Sequence, residues 1–190
     1  MVIYFNLQKY NVIWLYCNIL FGVFWSIQER FTMKLKLKED GKEGLDLIKP
    51  LWEKLNKFHL NQESNFKAHY ANFTFTERKK VLLNKALAGA IYICLAEDEE
   101  SGTVLGYIVT TISSENEGEI DSVYVEDEYR LMGIGDSLMQ RSIRWMDRKG
   151  VKTKKVAVAA CNPEAVSFYE RYGFRRRTIT LEQPSDRLEK

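Results

Sequence analysis

Proline is scarce in these 190 residues, with three in all, and histidine scarcer still, with two. Glycine is ordinary at 11, so collagen-like and Pro-rich architectures are excluded. Neither sign of charge dominates, since Lys and Arg number 28 against 26 for Asp and Glu. That balance excludes a protein built mainly to grip nucleic acid or an anionic membrane. The three cysteines, Cys17, Cys94 and Cys161, are far apart and form no CxxC pair. With only His59 and His69 beside them, neither a disulfide framework nor a zinc site fits, and no metal is expected. They read as inert thiols of a reducing compartment, which makes the cytoplasm the expected location. Sustained heptads and internal repeats are missing too. What remains is a chain 45% hydrophobic and 28% charged, the balance of a folding protein, with room for one ordinary domain plus an extension.

Residues 1–32 stand apart. They hold nine of the 24 aromatic residues but only three charges, Lys9, Glu29 and Arg30. The apolar run over residues 12–27 is interrupted by Asn18, Gly22 and Ser26, and is short of the roughly 20 residues a spanning helix needs. It lacks the basic start and small-residue cleavage pattern of a secretory signal. Its wealth of Phe, Tyr, Asn, Ile and Leu is what A/T-rich upstream DNA yields when read as protein. Three readings stay open: a non-native leader, a structured or self-associating extension, and a membrane anchor over residues 12–27. The domain proper is expected over residues 33–190, where 26 basic and 25 acidic residues nearly cancel.

That domain opens on Lys and Leu in alternation over residues 34–38, the period of a half-buried strand. Asp40 is placed to cap a helix with Leu45, Ile48, Leu51, Trp52, Leu55 and Phe58 on one face, kinked at Pro50. Residues 59–71 read as a polar loop. Thr76 is then expected to cap a second helix carrying Val81, Leu82, Ala86 and Leu87, closed by Gly89. Three β-branched and aromatic runs follow, at 91–96, 104–112 and 119–125, joined by short turns as in an antiparallel meander. Ile134, Leu138, Met139, Ile143 and Met146 mark a helix over 133–149, and residues 155–160 a buried strand. Asn162 caps and Pro163 starts a last helix ending at Gly173, and a final strand is expected over 174–181. The class is α/β of the α+β kind: one mixed, mostly antiparallel sheet with helices on both faces.

Chemistry concentrates at Arg130-Leu131-Met132-Gly133-Ile134-Gly135-Asp136, between a strand end and a helix start. Two glycines there let a ligand approach the backbone, and the N–H groups of a helix's first turn present its positive dipole end, a cradle for a pyrophosphate. The pattern is neither GxGxxG, because residue 138 is Leu, nor a Walker A loop.

Together with Asn162-Pro163-Glu164-Ala165-Val166-Ser167-Phe168-Tyr169-Glu170-Arg171-Tyr172-Gly173-Phe174, this junction resembles the GNAT family, the Gcn5-related N-acetyltransferases. The family patterns are [Q/R]-x-x-G-x-[G/A] after the fourth strand and N-x-x-A-x-x-F-Y-x-x-x-G-F later, and both match in the expected order. The resemblance covers nearly all of the chain beyond the leader. It implies direct transfer of an acetyl group from acetyl-CoA to an amine in a ternary complex. A non-catalytic acyl-CoA-binding module of the same fold is the alternative. Partners would be acetyl-CoA and an amine acceptor, not nucleic acid; a membrane enters only through residues 12–27, and homodimerisation is left open.

The resemblance also implies roles. The backbone of Val123, Tyr124 and Val125 would hold the pantetheine arm and acetyl carbonyl, and Leu131, Met132, Gly133, Ile134, Gly135 and Asp136 would offer N–H groups to the pyrophosphate. Many relatives carry Arg or Lys where this chain has Leu131-Met132, so phosphate charge falls to backbone dipoles and Arg130. Asn162 would sit near the thioester. An alkylamine with a pKa near ~10.4 must lose a proton before attacking. Glu119, 14 residues before Gly133, resembles the family's general-base glutamate, with Asp121 on the same face as second choice. Tyr169 matches the tyrosine that protonates the departing thiolate, while Tyr172 reads as packing. His59 and His69 fall in the segment that covers the acceptor. Cys161 has no histidine near it in sequence to make it a nucleophile.

Overall fold

The computed structural model describes residues 34–184, so the leader, the run over residues 12–27 and Cys17 lie outside the described residues. Leu35 and Leu37 alternate with Lys36 and Lys38 in β1 (Leu35–Asp40), which pairs antiparallel with β2 (Ala90–Asp98). A 3₁₀ helix, Lys42–Ile48, leads into α1 (Lys49–Asn61). Pro50 therefore lies in the first turn of α1 and kinks nothing, because a residue without N–H costs least where that N–H has no helical partner. Asp40 does not cap the helix, its Oδ1 accepting only from the adjacent Gly41 N–H at 2.9 Å.

The stretch expected as a loop contains the end of α1 and a further helix, α2 (Lys67–Asn72). Asn56 Nδ2 donates to Tyr70 O at 2.8 Å and to Phe73 O at 3.4 Å, a tertiary tie that no local apolar period announces. The cap of α3 (Phe75–Ala88) is Thr74 rather than Thr76. Thr74 Oγ1 accepts from Glu77 N, and Glu77 Oε2 accepts from Thr74 N at 2.8 Å. Thr76 lacks that partner, since Lys79 stands three residues beyond it. On α3 Leu82 is buried, whereas Val81 and Leu87 face solvent. Gly89 keeps an extended backbone, and its missing side chain serves another purpose. A Cβ there would lie 1.9 Å from Ile112 O on the adjacent strand.

Strands β3 (Val104–Ile112) and β4 (Glu117–Val125) complete the meander. After α4 (Ile134–Arg148), β5 (Thr153–Val156) joins β4 in parallel, giving the order β1-β2-β3-β4-β5. The last helix is α5 (Pro163–Glu170). Strand β5 is shorter than its apolar run suggested, and the strand expected over 174–181 does not form among the described residues. Ile179 and Leu181 are 82% and 92% exposed, so this stretch has no neighbouring ladder and no face to bury.

Central strands read as unbroken apolar runs because both faces are covered. Cys94 and Ala96 of β2 join Ile108, Ile120, Leu138, Met139 and Tyr169 in one cluster under α4 and α5. Ile93 and Leu95 join Leu45, Trp52, Leu82, Tyr107 and Tyr124 in another under α1 and α3. No helix among the described residues is long and apolar enough to cross a membrane.

Candidate functional site

Pairing of β4 with β5 runs from Glu117–Thr153 to Ile120–Val156 and stops. Strand β4 continues to Val125, so residues 121–125 present one edge of their backbone to a gap. A bulge marks the parting. Val109 pairs with Ser122 and Thr110 with Ile120, leaving Asp121 as the extra residue. The bulge shifts side-chain parity, and Ile120, Val123 and Val125 consequently all join the α4 side while Tyr124 joins the other. Val123, Tyr124 and Val125 thus lie together along the gap.

At the C-terminal end of β4 the chain turns through a 3₁₀ turn, Asp127–Tyr129, into the glycine loop. Leu131 (φ 63°) and Gly133 (φ 80°) both take left-handed backbone. A side chain at Gly133 would meet nothing within 4 Å, so glycine is there for its conformation. A Cβ at Gly135 would lie 3.3 Å from Phe168 Cε2, so this glycine admits the α5 ring against α4. The helix begins with no side-chain cap, and its first ladder bond is donated by Ser137 N to Gly133 O at 3.0 Å. The N–H groups of Ile134, Gly135 and Asp136 precede that bond and are left for a ligand or water. Leu131 is fully exposed beside them, and Met132 partly so.

Arg130 is turned from the loop toward α1. Its Nε donates to Val125 O at 3.2 Å and Nη2 pairs with Asp127 at 2.7 Å. The guanidinium lies 5.6 Å from the Tyr124 ring centre and 6.0 Å from that of Phe58. Phe58, Tyr124, Tyr129, Lys54 and Glu126 line a cleft of about 610 Å³ here, and Lys54 pairs with Glu126 across it.

On the α3 side of β4 the two candidate bases differ. The Asp121 side chain is 1% exposed and saturated: Lys85 Nζ lies 2.6 Å from Oδ1, and Thr111 Oγ1 donates to Oδ2 at 2.6 Å. Arg78 Nη2 stands 3.8 Å from the same carboxylate and donates to the Asp121 carbonyl at 2.7 Å. Glu119 is 27% exposed and holds a single ion pair, to Lys85 at 3.1 Å. Arg78 and Lys85 were not singled out from sequence, although their spacing of seven sets them on one helix face.

Asn162 Oδ1 accepts from Ala165 N at 3.1 Å and so caps α5 as expected. Tyr169, one turn further on, is buried edge-to-face with Phe168 and Phe174. Burial pushes its phenol well above the usual range. Tyr172 does more than pack, for its hydroxyl donates to Asp136 Oδ1. His59 stacks on Tyr70 and His69 on Phe73, so both rings pack within the α1–α2 unit, and burial lowers the His59 pKa. Cys94 is buried and Cys161 half-buried, both as free thiols.

Residues 52–174 match the model of the acetyltransferase (GNAT) family. An uncharacterized N-acetyltransferase of Methanocaldococcus jannaschii is 22% identical over 161 residues, which is 82% of this chain and 65% of that one. The [ribosomal protein bS18]-alanine N-acetyltransferase of Escherichia coli is 28% identical over 80 residues, 42% of this chain and 53% of that one. The chain thus spans less than two thirds of the length of these curated relatives. Among solved structures, the PaiA N-acetyltransferase of Thermoplasma acidophilum in complex with coenzyme A superposes with a TM-score of 0.60. That match has 22% identity and covers 78% of this chain and 94% of the other. The superposition shows a shared fold, and with the family model matched over more than half of its length the chain belongs to the acetyltransferase (GNAT) family.

Proposed function

We propose that this protein transfers an acetyl group from acetyl-CoA to a primary amine, directly and within a ternary complex. The observation that carries this reading is the gap beyond the Ile120–Val156 pair, flanked by the open first turn of α4 and by α5. In this reading the thioester-bearing cofactor arm runs along that edge. The free strand edge at 121–125 offers amide groups to a pantetheine chain, and the uncapped N–H groups of Ile134, Gly135 and Asp136 offer a dipole to phosphate. Bound acetyl-CoA supplies an activated acyl group, and every other contribution falls to the chain. A complex with coenzyme A in a protein of this fold and acetyl transfer by the named relatives support the assignment. Two free thiols support a cytoplasmic site of action.

In this reading Glu119 takes a proton from the acceptor's ammonium, directly or through one water, and the neutral amine then attacks the thioester. Asp121 is unsuited to that task because Lys85 and Thr111 already occupy its oxygens. Asp121 instead anchors Lys85, which in turn holds the Glu119 carboxylate. Tyr169 donates its phenolic proton, or a hydrogen bond, to the sulfur that leaves. A phenol pushed upward by burial stays protonated at neutral pH and is the weaker acid for it, so a hydrogen bond to the departing sulfur is the contribution it makes most readily. Asn162 keeps the first turn of α5 in place and so positions Tyr169.

The test is a panel of amines, amino acids and peptides incubated with acetyl-CoA, with release of free thiol followed against time. Acceptor-dependent thiol release supports the enzyme. Tight acetyl-CoA binding with no turnover on any acceptor would favour the non-catalytic module.

A further inference from the structure

The first turn of α4 carries a carboxylate, Asp136, at the place where phosphate is to be received. Alone it would repel an anion. It is not alone, because Arg171 Nη1 lies 3.2 Å from its Oδ1 and the Tyr172 hydroxyl donates to the same oxygen. The Arg171 guanidinium stacks 4.9 Å from the centre of the Phe168 ring, the ring that lies against Gly135. A half-exposed, always-charged group is therefore held beside the first turn of α4 from the C-cap of α5, 35 residues away in sequence. Arg130, the basic residue of the loop itself, is committed to Asp127, to the Val125 carbonyl and to the Phe58 and Tyr124 rings. Leu131 and Met132 bring no charge.

Resting on the acetyl-CoA reading above, we propose that Arg171, the C-cap residue that follows α5, is the guanidinium that meets the cofactor's phosphates, with Arg130 serving as a latch between α1 and the end of β4. Asp136 and Phe168 hold the Arg171 plane at the cradle, and its remaining N–H donors are free to form charge-assisted bonds to phosphate oxygens. Asp136 then tunes the site in the opposite sense, since it competes with phosphate for the same cation.

Calorimetric titration of the full chain with coenzyme A, and separately with pantetheine, tests this. Arg171→Gln is expected to raise the Kd for coenzyme A about tenfold, the scale of a charged hydrogen bond lost at a partly exposed site. Its affinity for pantetheine, which has no phosphate, should not change, and the salt dependence of coenzyme A binding should become shallower. Asp136→Asn should tighten coenzyme A, and Arg130→Gln should weaken it less than Arg171→Gln does. If the Arg171–Asp136 pair merely held α5 in place, Arg171→Gln and Asp136→Asn would weaken both ligands alike, and the proposal would fall. Unchanged coenzyme A affinity in Arg171→Gln would also overturn it. A native chain that bound neither ligand would overturn the acetyl-CoA reading itself, and this proposal with it.

Discussion

Tyr169 and Glu119 lie on opposite faces of the sheet and under opposite constraints. The tyrosine is buried among Phe168, Phe174 and the α4 cluster, so removing its hydroxyl leaves the packing intact. Tyr169→Phe is expected to lower kcat by about 10²-fold while leaving KM for acetyl-CoA nearly unchanged, because a general acid acts on the transition state. Steady-state kinetics at varied acetyl-CoA checks it, and a variant keeping more than half its activity would assign Tyr169 to packing alone. Glu119 keeps partial exposure and one ion pair. Glu119→Gln should move the pH–rate profile to higher pH, since the amine must then arrive already neutral. An unmoved acidic limb would transfer the role to solvent. Asp121 offers a contrast at this scale: sequence alone made it second choice to Glu119, and its oxygens are spent on Lys85 and Thr111.

Among the elements, α3 shows how local chemistry sets an end. The reciprocal bonds of Thr74 and Glu77 satisfy donors that helix geometry leaves over. Since α3 carries Arg78 and Lys85 to the β4 carboxylates, its cap positions charges at the candidate site. Thr74→Ala should lower unfolding free energy by about 1 kcal/mol, with Thr76→Ala close to neutral. Chemical denaturation of both variants distinguishes them, and equal losses would contradict the assigned cap. The β4 bulge works at the same scale, because it shifts side-chain parity at Asp121 just where β5 stops.

At the scale of the molecule, two apolar clusters enclose groups that must stay neutral. Burial pushes the phenols of Tyr92, Tyr107 and Tyr169 above their usual range, that of Tyr124 to about 12 and the Cys94 thiol to about 11. In the unfolded chain such groups release protons near ~10 for phenols and ~8.5 for the thiol. Their folded forms hold protons that the unfolded chain has lost, so stability is fully present below those values and declines as pH rises past them. The melting temperature should therefore fall steadily between about pH 9 and pH 12, and Tyr107→Phe should flatten the fall. A melting temperature constant to pH 11 would contradict this account. Among the described residues, the sheet, its helices and both family motifs run from Leu35 onward, downstream of Met33. A chain starting at Met33 is accordingly expected to melt and turn over as the full chain does, and to scatter less light, having lost an apolar aromatic segment. A large drop in its melting temperature would make residues 1–32 part of the fold.

Much of this was legible in the sequence. Runs of β-branched and aromatic residues located the strands of the meander, apolar period the α4 face, and Asn162 with Pro163 the start of α5, because composition, period and cap are local properties of a chain. The glycine loop and the Asn162–Phe174 stretch pointed to the acetyltransferase family before any geometry was known. Other features needed the third dimension. Residues 59–71 hide α2 because its hold is a long-range bond from Asn56, not an apolar stripe. The expected strand over 174–181 has the right residues but no neighbouring ladder to complete it. Gly89 looked like a helix stop and proved to be a point of close approach to Ile112. Which carboxylate keeps solvent access, which arginine stands at the cradle, and which glycine admits a ring depend on partners more than 30 residues distant. Local pattern determined most of the elements and their order. Tertiary packing alone decided the charges at the site, because a side chain's partners are set by what the fold brings beside it and not by its neighbours along the chain.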